Sequence, residues 1–162
     1  MARLLTAALL CLLPAASASS PPDYQCDEQP PSAFDPIHLA SGDISATFIA
    51  YGATTTHLLT PDQDNVPRDI LLGFDDPVDY CAEPSHPYFG ATIGRVANRI
   101  EGGQFTVNGE TFNTPLNEND FDTLHGGFFG ADRWVWDVAA LTPSTVTFTH
   151  TSLHLTRVSL AL

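Results

Sequence analysis

The tightest constraint on this chain is the stretch Gln104 to Asn113, where Asn108-Gly109 sits between two runs of four residues. Two residues that both tolerate positive φ close an antiparallel hairpin, because their turn twists in the sense of the flanking strands. In that register Phe105 faces Phe112 across the ladder, an aromatic pair that helps to hold it. Other segments read the same way. Ile44, Ala46, Phe48 and Ala50 alternate with Ser45, Thr47 and Ile49, the two-residue period of a strand. Thr54 to Leu59 is rich in β-branched residues, and Asp69 to Phe74 is an apolar run of strand length, with turn composition from Pro61 to Pro67 between them. Farther on, Trp134, Trp136 and Val138 share one face of a strand, as do Val146 and Phe148. Apolar residues nowhere recur at helical spacing over more than two turns, and 13 prolines oppose long helices. The expected fold class is all-β, built as a sandwich of short strands.

With 162 residues the chain has room for one domain. Arg3, the apolar stretch Leu4 to Leu13 and the small residues Ala16-Ser17-Ala18 read as a signal peptide over residues 1–18, so the mature protein is expected to be secreted and to begin near Ser19. The apolar run is too short to span a bilayer and ends at Pro14. Residues 19–36 carry Pro21, Pro22, Pro30, Pro31 and Pro36 and read as an extended arm. Export would leave Cys26 and Cys81. In an oxidising compartment they form either one disulfide, tying the arm to the domain, or two buried thiols. No Asn-x-Ser/Thr acceptor with a permitted middle residue occurs, so N-glycosylation is not expected.

Charge narrows the partners. The formal net charge is −13, from 19 acidic residues against six arginines and no lysine. Replacing counterions on phosphate needs clustered cations, and only Arg95 and Arg99 are near one another, so neither nucleic acid nor an anionic membrane surface is an expected partner.

The chemistry-bearing residues lie in the middle of the chain. His86 to Ile100 places Arg95, Asn98 and Arg99 on an otherwise apolar, glycine-bearing stretch. A neutral polyol is held by planar groups that fork onto adjacent hydroxyls, which Arg and Asn supply; the alternative for each arginine is an ion pair with a carboxylate. His125 precedes Gly126-Gly127, a setting where backbone approaches a ligand closely and an imidazole donates to an oxygen, although a lone histidine is more often part of the framework. Phe128, Phe129, Trp134 and Trp136 offer an apolar wall for a pyranose face or, for at least one tryptophan, ordinary core. His150 and His154 have a four-residue spacing but sit in a strand-like, Thr-rich run without a third ligand, so no metal site is expected. Asn117 to Asp122 lacks the calcium-loop pattern and reads as a solvated loop.

Taken together, Tyr88-Phe89-Gly90-Ala91, Gly94-Arg95-Val96-Ala97-Asn98-Arg99-Ile100, the Asn108-Gly109 hairpin, Leu124-His125-Gly126-Gly127 and Trp134 to Trp136 resemble, in order and spacing, the N-terminal half of aldose 1-epimerases, the galactose mutarotase family. The resemblance runs from about Asp43 to Ser152. It implies that 37–152 is the N-terminal half of a galactose mutarotase-like β-sandwich, expected to be incomplete, and it implies interconversion of the α and β anomers of hexoses such as glucose and galactose without a cofactor. By the same resemblance Asn98, Arg99 and His125 bind the sugar, His125 near the ring oxygen, while Arg95 and Trp134 are structural. In the family a carboxylate takes the anomeric hydroxyl proton and a histidine protonates the ring oxygen, which is general acid–base work. The tail 153–162 does not resemble the family, and the acid histidine and base glutamate are expected to be missing, leaving a secreted carbohydrate-binding module as the alternative to an active isomerase.

Overall fold

The computed structural model describes residues 26–151 and the backbone of 157–161. The signal peptide, the first part of the arm, His154 and the rest of the tail lie outside the described residues. Strands dominate: β1 (Ile37–Ser41), β2 (Ile44–Ile49), β3 (Thr54–Pro61), β4 (Pro67–Asp69), β5 (Arg99–Ile100), β6 (Gln104–Val107), β7 (Glu110–Asn113), β8 (Thr123–Leu124), β9 (Asp137–Thr142), β10 (Thr145–Thr151) and β11 (Arg157–Ala161), with a single one-turn helix α1 (Asp79–Ala82). All pairings are antiparallel. They build a four-stranded sheet β1-β2-β3-β4, a three-stranded sheet β11-β10-β9 and two small ladders, β5-β8 and β6-β7.

The two larger sheets pack through alternating residues of β2 and β10. Phe48 and Ala50 point to one side and meet Trp136, Val146 and Phe148, with the Phe48 and Phe148 rings 6.4 Å apart. Ile49 and Tyr51 point to the other side and meet Ala33, Tyr80 and Cys81. Successive side chains of a strand face opposite ways, so this end of β2 is covered on both faces. Full burial of side chains such as Phe148 and Ile49, both 0% exposed, stabilises by about 1.5–3 kcal/mol each. Backbone bonds from Ala40 N–H to Pro143 O (2.9 Å) and from Trp136 N–H to Ala50 O (3.0 Å) knit the sheets together.

The hairpin forms as expected: Asn108 and Gly109 have φ of 52° and 82°, and Phe105 pairs with Phe112, their rings stacked at 5.5 Å. Three expectations need correction. The run Asp69 to Phe74 is a strand only to Asp69, and Ile70 and Leu72 are exposed. Local acceptors divert its ladder donors: Asp69 Oδ1 takes the N–H groups of Leu58 and Leu71, and the Tyr80 hydroxyl takes that of Phe74. Trp134 and Trp136 precede β9 instead of lying in it, and Val138 is exposed. The described part of the arm is not extended, since Cys26–Glu28 and Pro31–Phe34 are 3-10 turns and Ala33, 1% exposed, accepts the Tyr51 N–H through its carbonyl.

Candidate functional site

Residues 86–98 run from α1 back across the start of β3 and are pinned there by backbone bonds. Thr55 N–H donates to Gly90 O (3.0 Å) and Thr92 N–H to Gly52 O (3.0 Å). The segment then enters β5, where Arg99 pairs with Leu124 and Ile100 with Thr123 of β8. This short ladder brings the three expected sugar-binding residues side by side. His125 N–H donates to Asn98 O at 3.0 Å, and Asn98 N–H donates to His125 Nδ1 at 3.1 Å. A backbone N–H only donates, so Nδ1 is the unprotonated nitrogen and the imidazole proton sits on Nε2. His125 thereby offers its Nε2–H to an oxygen.

The close approach depends on Gly126. Its φ is +96°, and a Cβ there would lie 2.1 Å from the carbonyl oxygen of Gly94. Only glycine lets the His125 turn sit on that segment.

Arg99 is placed differently from Asn98 and His125. Its guanidinium forks onto the Glu118 carboxylate through Nε and one terminal nitrogen, which leaves three of its five N–H groups for an incoming hydroxyl. The pairing holds the Glu118 carboxyl below its usual pKa, chiefly through this hydrogen bond, and raises that of Arg99 for the same reason. Glu118 stands on the Asn117–Asp122 loop, which is a structural clamp: Asn117 exchanges hydrogen bonds with both backbone groups of Leu124, and Asp122 Oδ1 accepts the Gly102 N–H.

Next to this group opens a cleft of about 600 Å³, lined by Tyr88, Leu124, Gly127, Phe128, Glu83, His86 and the Cys26–Cys81 disulfide. The disulfide links residues whose Cα atoms are 5.8 Å apart. Asn98, Arg99 and His125 do not line the cleft themselves; the His125 ring packs against Tyr88 at 4.8 Å, edge to face. A smaller cleft of about 220 Å³ is bordered by Val96, Phe105, Gly126, Phe129 and Trp134. Trp134 stacks on His150 at 4.5 Å and donates to Phe129 O, whereas Trp136 is 2% exposed and belongs to the core. Among the described residues no three His, Cys, Asp or Glu side chains gather as a metal site, and no helix is long and apolar enough to cross a membrane.

Four residues here escaped sequence reasoning. Glu118 stood in a loop read only as solvated. Tyr88 and His86 lay inside the motif without a role, and Asp132, which meets His86 across 46 positions of chain, left no local signal.

Comparison with known proteins bears on this site directly. The profile of the family described as aldose 1-epimerase matches residues 35–157. A probable aldose 1-epimerase of Arthroderma benhamiae is 46% identical over 114 residues, which are 68% of this chain and 26% of that protein. The galactose mutarotase of Mus musculus is 40% identical over 106 residues, 65% of this chain and 30% of the relative. Among solved structures, an aldose epimerase homologue from C. elegans superposes with a TM-score of 0.66 at 32% identity, covering 72% of this chain and 35% of the other. The chain thus spans about a quarter to a third of the length of these relatives.

Proposed function

Because the chain belongs to the aldose 1-epimerase family, we propose that it binds hexoses such as glucose and galactose, the sugars whose α and β anomers the family reaction interconverts, and that Asn98, Arg99 and His125 hold the sugar. The observation that carries this reading is the hydrogen bond from Asn98 N–H to His125 Nδ1 (3.1 Å), which leaves Nε2–H as the donor His125 can offer, on the same short ladder where Arg99 keeps three N–H groups open. An imidazole N–H and a guanidinium fork suit the ring and hydroxyl oxygens of a pyranose.

The same observation argues for binding over proton transfer by these residues. A ring whose Nδ1 already accepts a backbone N–H cannot take up a second proton without breaking that bond. The other described imidazoles are engaged elsewhere: His38 with Thr47, His57 with Thr56, His86 with Asp132 and His150 with Val135 O. The acid and the base of anomer exchange are therefore assigned to groups other than these. On this reading Asn98, Arg99 and His125 bind the hexose, and the proton transfers of mutarotation fall to other groups. We further propose that the protein is exported, with the apolar leader removed; N-terminal sequencing of secreted material should begin near Ser19.

Polarimetry and fluorescence test the main reading. The optical rotation of fresh α-glucose or α-galactose should decay at the buffer rate in the presence of this chain, while hexose shifts the emission of Trp134. His125→Ala and Arg99→Ala should each weaken that binding about tenfold, the loss of one good hydrogen bond. Catalysis above the buffer rate would overturn the binding-only assignment, and a folded chain with no hexose response would overturn the sugar assignment.

A further inference from the structure

We propose that Asp132 and His86, acting through Tyr88, position His125, so that the sugar-facing imidazole is set by a hydrogen-bonded pair anchored on a buried carboxylate. Resting on the assignment of His125 to the sugar site, this inference adds three positioning residues to it.

Asp132 is 2% exposed, and a carboxylate in such a place needs a partner. It finds one in His86, whose Nε2 lies 2.7 Å from Oδ2 and whose side chain is 11% exposed. Arg133 Nε, at 3.9 Å from the same oxygen, is beyond hydrogen-bond reach and adds only Coulombic support. Three rings then follow in series. His86 meets Tyr88 edge to face at 4.5 Å and 73°, and Tyr88 meets His125 in the same manner at 4.8 Å and 67°.

Tyr88 is thus held between the two imidazoles, and the far end of the row is anchored by the hydrogen bond of His86 to the buried Asp132. The backbone agrees with this. His86, Tyr88 and His125 have φ of 41°, 59° and 53°, conformations that side-chain-bearing residues keep only where surrounding contacts hold them. Local turns take part, with His86 N–H donating to Glu83 O (3.1 Å) and Ala91 N–H to Tyr88 O (3.3 Å), and the Asp132 contact adds an anchor from a distant part of the chain. Freed of the Tyr88 wall, the His125 ring could turn about its own side-chain bonds, lose the Asn98 N–H and interconvert between its two neutral tautomers.

Nitrogen NMR of His125 in the sugar-free full-length chain reads this directly. The wild type should show one neutral tautomer, protonated at Nε2, and contacts between the Tyr88 and His125 ring protons. His86→Leu and Tyr88→Leu should give a mixture of tautomers and weaken hexose binding about three- to tenfold, the range expected from losing an aromatic contact. Tyr88→Phe, which keeps the ring, should retain the single tautomer.

A folded His86→Leu or Tyr88→Leu chain that keeps a pure Nε2–H tautomer would overturn the proposal. If the leucine variants do not fold, absence of ring contacts between Tyr88 and His125 in the wild type would overturn it as well. Failure of the sugar reading looks different: a wild type with the single tautomer and ring contacts but no hexose response leaves the positioning network standing and removes its ligand.

Discussion

Arg99 shows how one side chain is shared between framework and ligand. Read from composition, it had two uses, a fork for hydroxyls or a partner for a carboxylate, and its geometry allows both at once because the guanidinium has more donors than Glu118 can accept. The sign of the pH dependence follows. Glu118 is held below its ordinary pKa by Arg99, so the pair is fully formed above the usual glutamate range and is lost as pH falls through the lowered value. Hexose affinity should be flat at neutral pH and decline on the acid side. Glu118→Gln should abolish that decline and bind about two- to fivefold more weakly at neutral pH, in keeping with a solvent-exposed pair, as a fluorescence titration against pH would show. Gly126 makes the opposite kind of case. A methyl group there meets the Gly94 carbonyl, backbone that cannot give way, so Gly126→Ala should cost about 2–3 kcal/mol in a denaturant melt.

At the scale of elements, legibility followed the range of the interactions. The Asn108-Gly109 hairpin and the period-two runs of β2 and β10 were readable because turn geometry and strand alternation are local. Asp69 to Phe74 misread as a strand because its backbone donors are claimed by Asp69 and by Tyr80, the latter from beyond the run. The pairing of Cys26 with Cys81 was left open by the sequence, since spacing says nothing of proximity. As a disulfide it ties the 3-10 turn Cys26–Glu28 to α1 and forms part of the cleft wall across a separation of 55 residues. Cys26→Ser with Cys81→Ser should lower stability by about 2–4 kcal/mol, measurable as a fall in Tm that reducing agent reproduces in the wild type.

For the whole molecule, the informative surface is apolar. Phe105, Phe112, Phe121, Phe129, Leu72 and Leu141 are all at least 40% exposed, and β9 is an edge strand whose residues are exposed along its whole length. Patches of this kind drive association, and uncapped edges template it. Sedimentation of the purified chain should show concentration-dependent self-association, and Phe105→Ser with Leu141→Lys should shift it toward monomer. A chain that stays monomeric at all concentrations would contradict this.

The sequence alone determined the β class, the hairpin and the candidates Asn98, Arg99 and His125, because these rest on turn chemistry, two-residue periodicity and contiguous motifs. Only the tertiary structure decided which nitrogen of His125 carries its proton, that Glu118 holds Arg99, and that Asp132 stands behind His86. Those depend on hydrogen bonds between residues 19 to 46 positions apart, and distance along a chain carries no information about which buried group will be left to satisfy another.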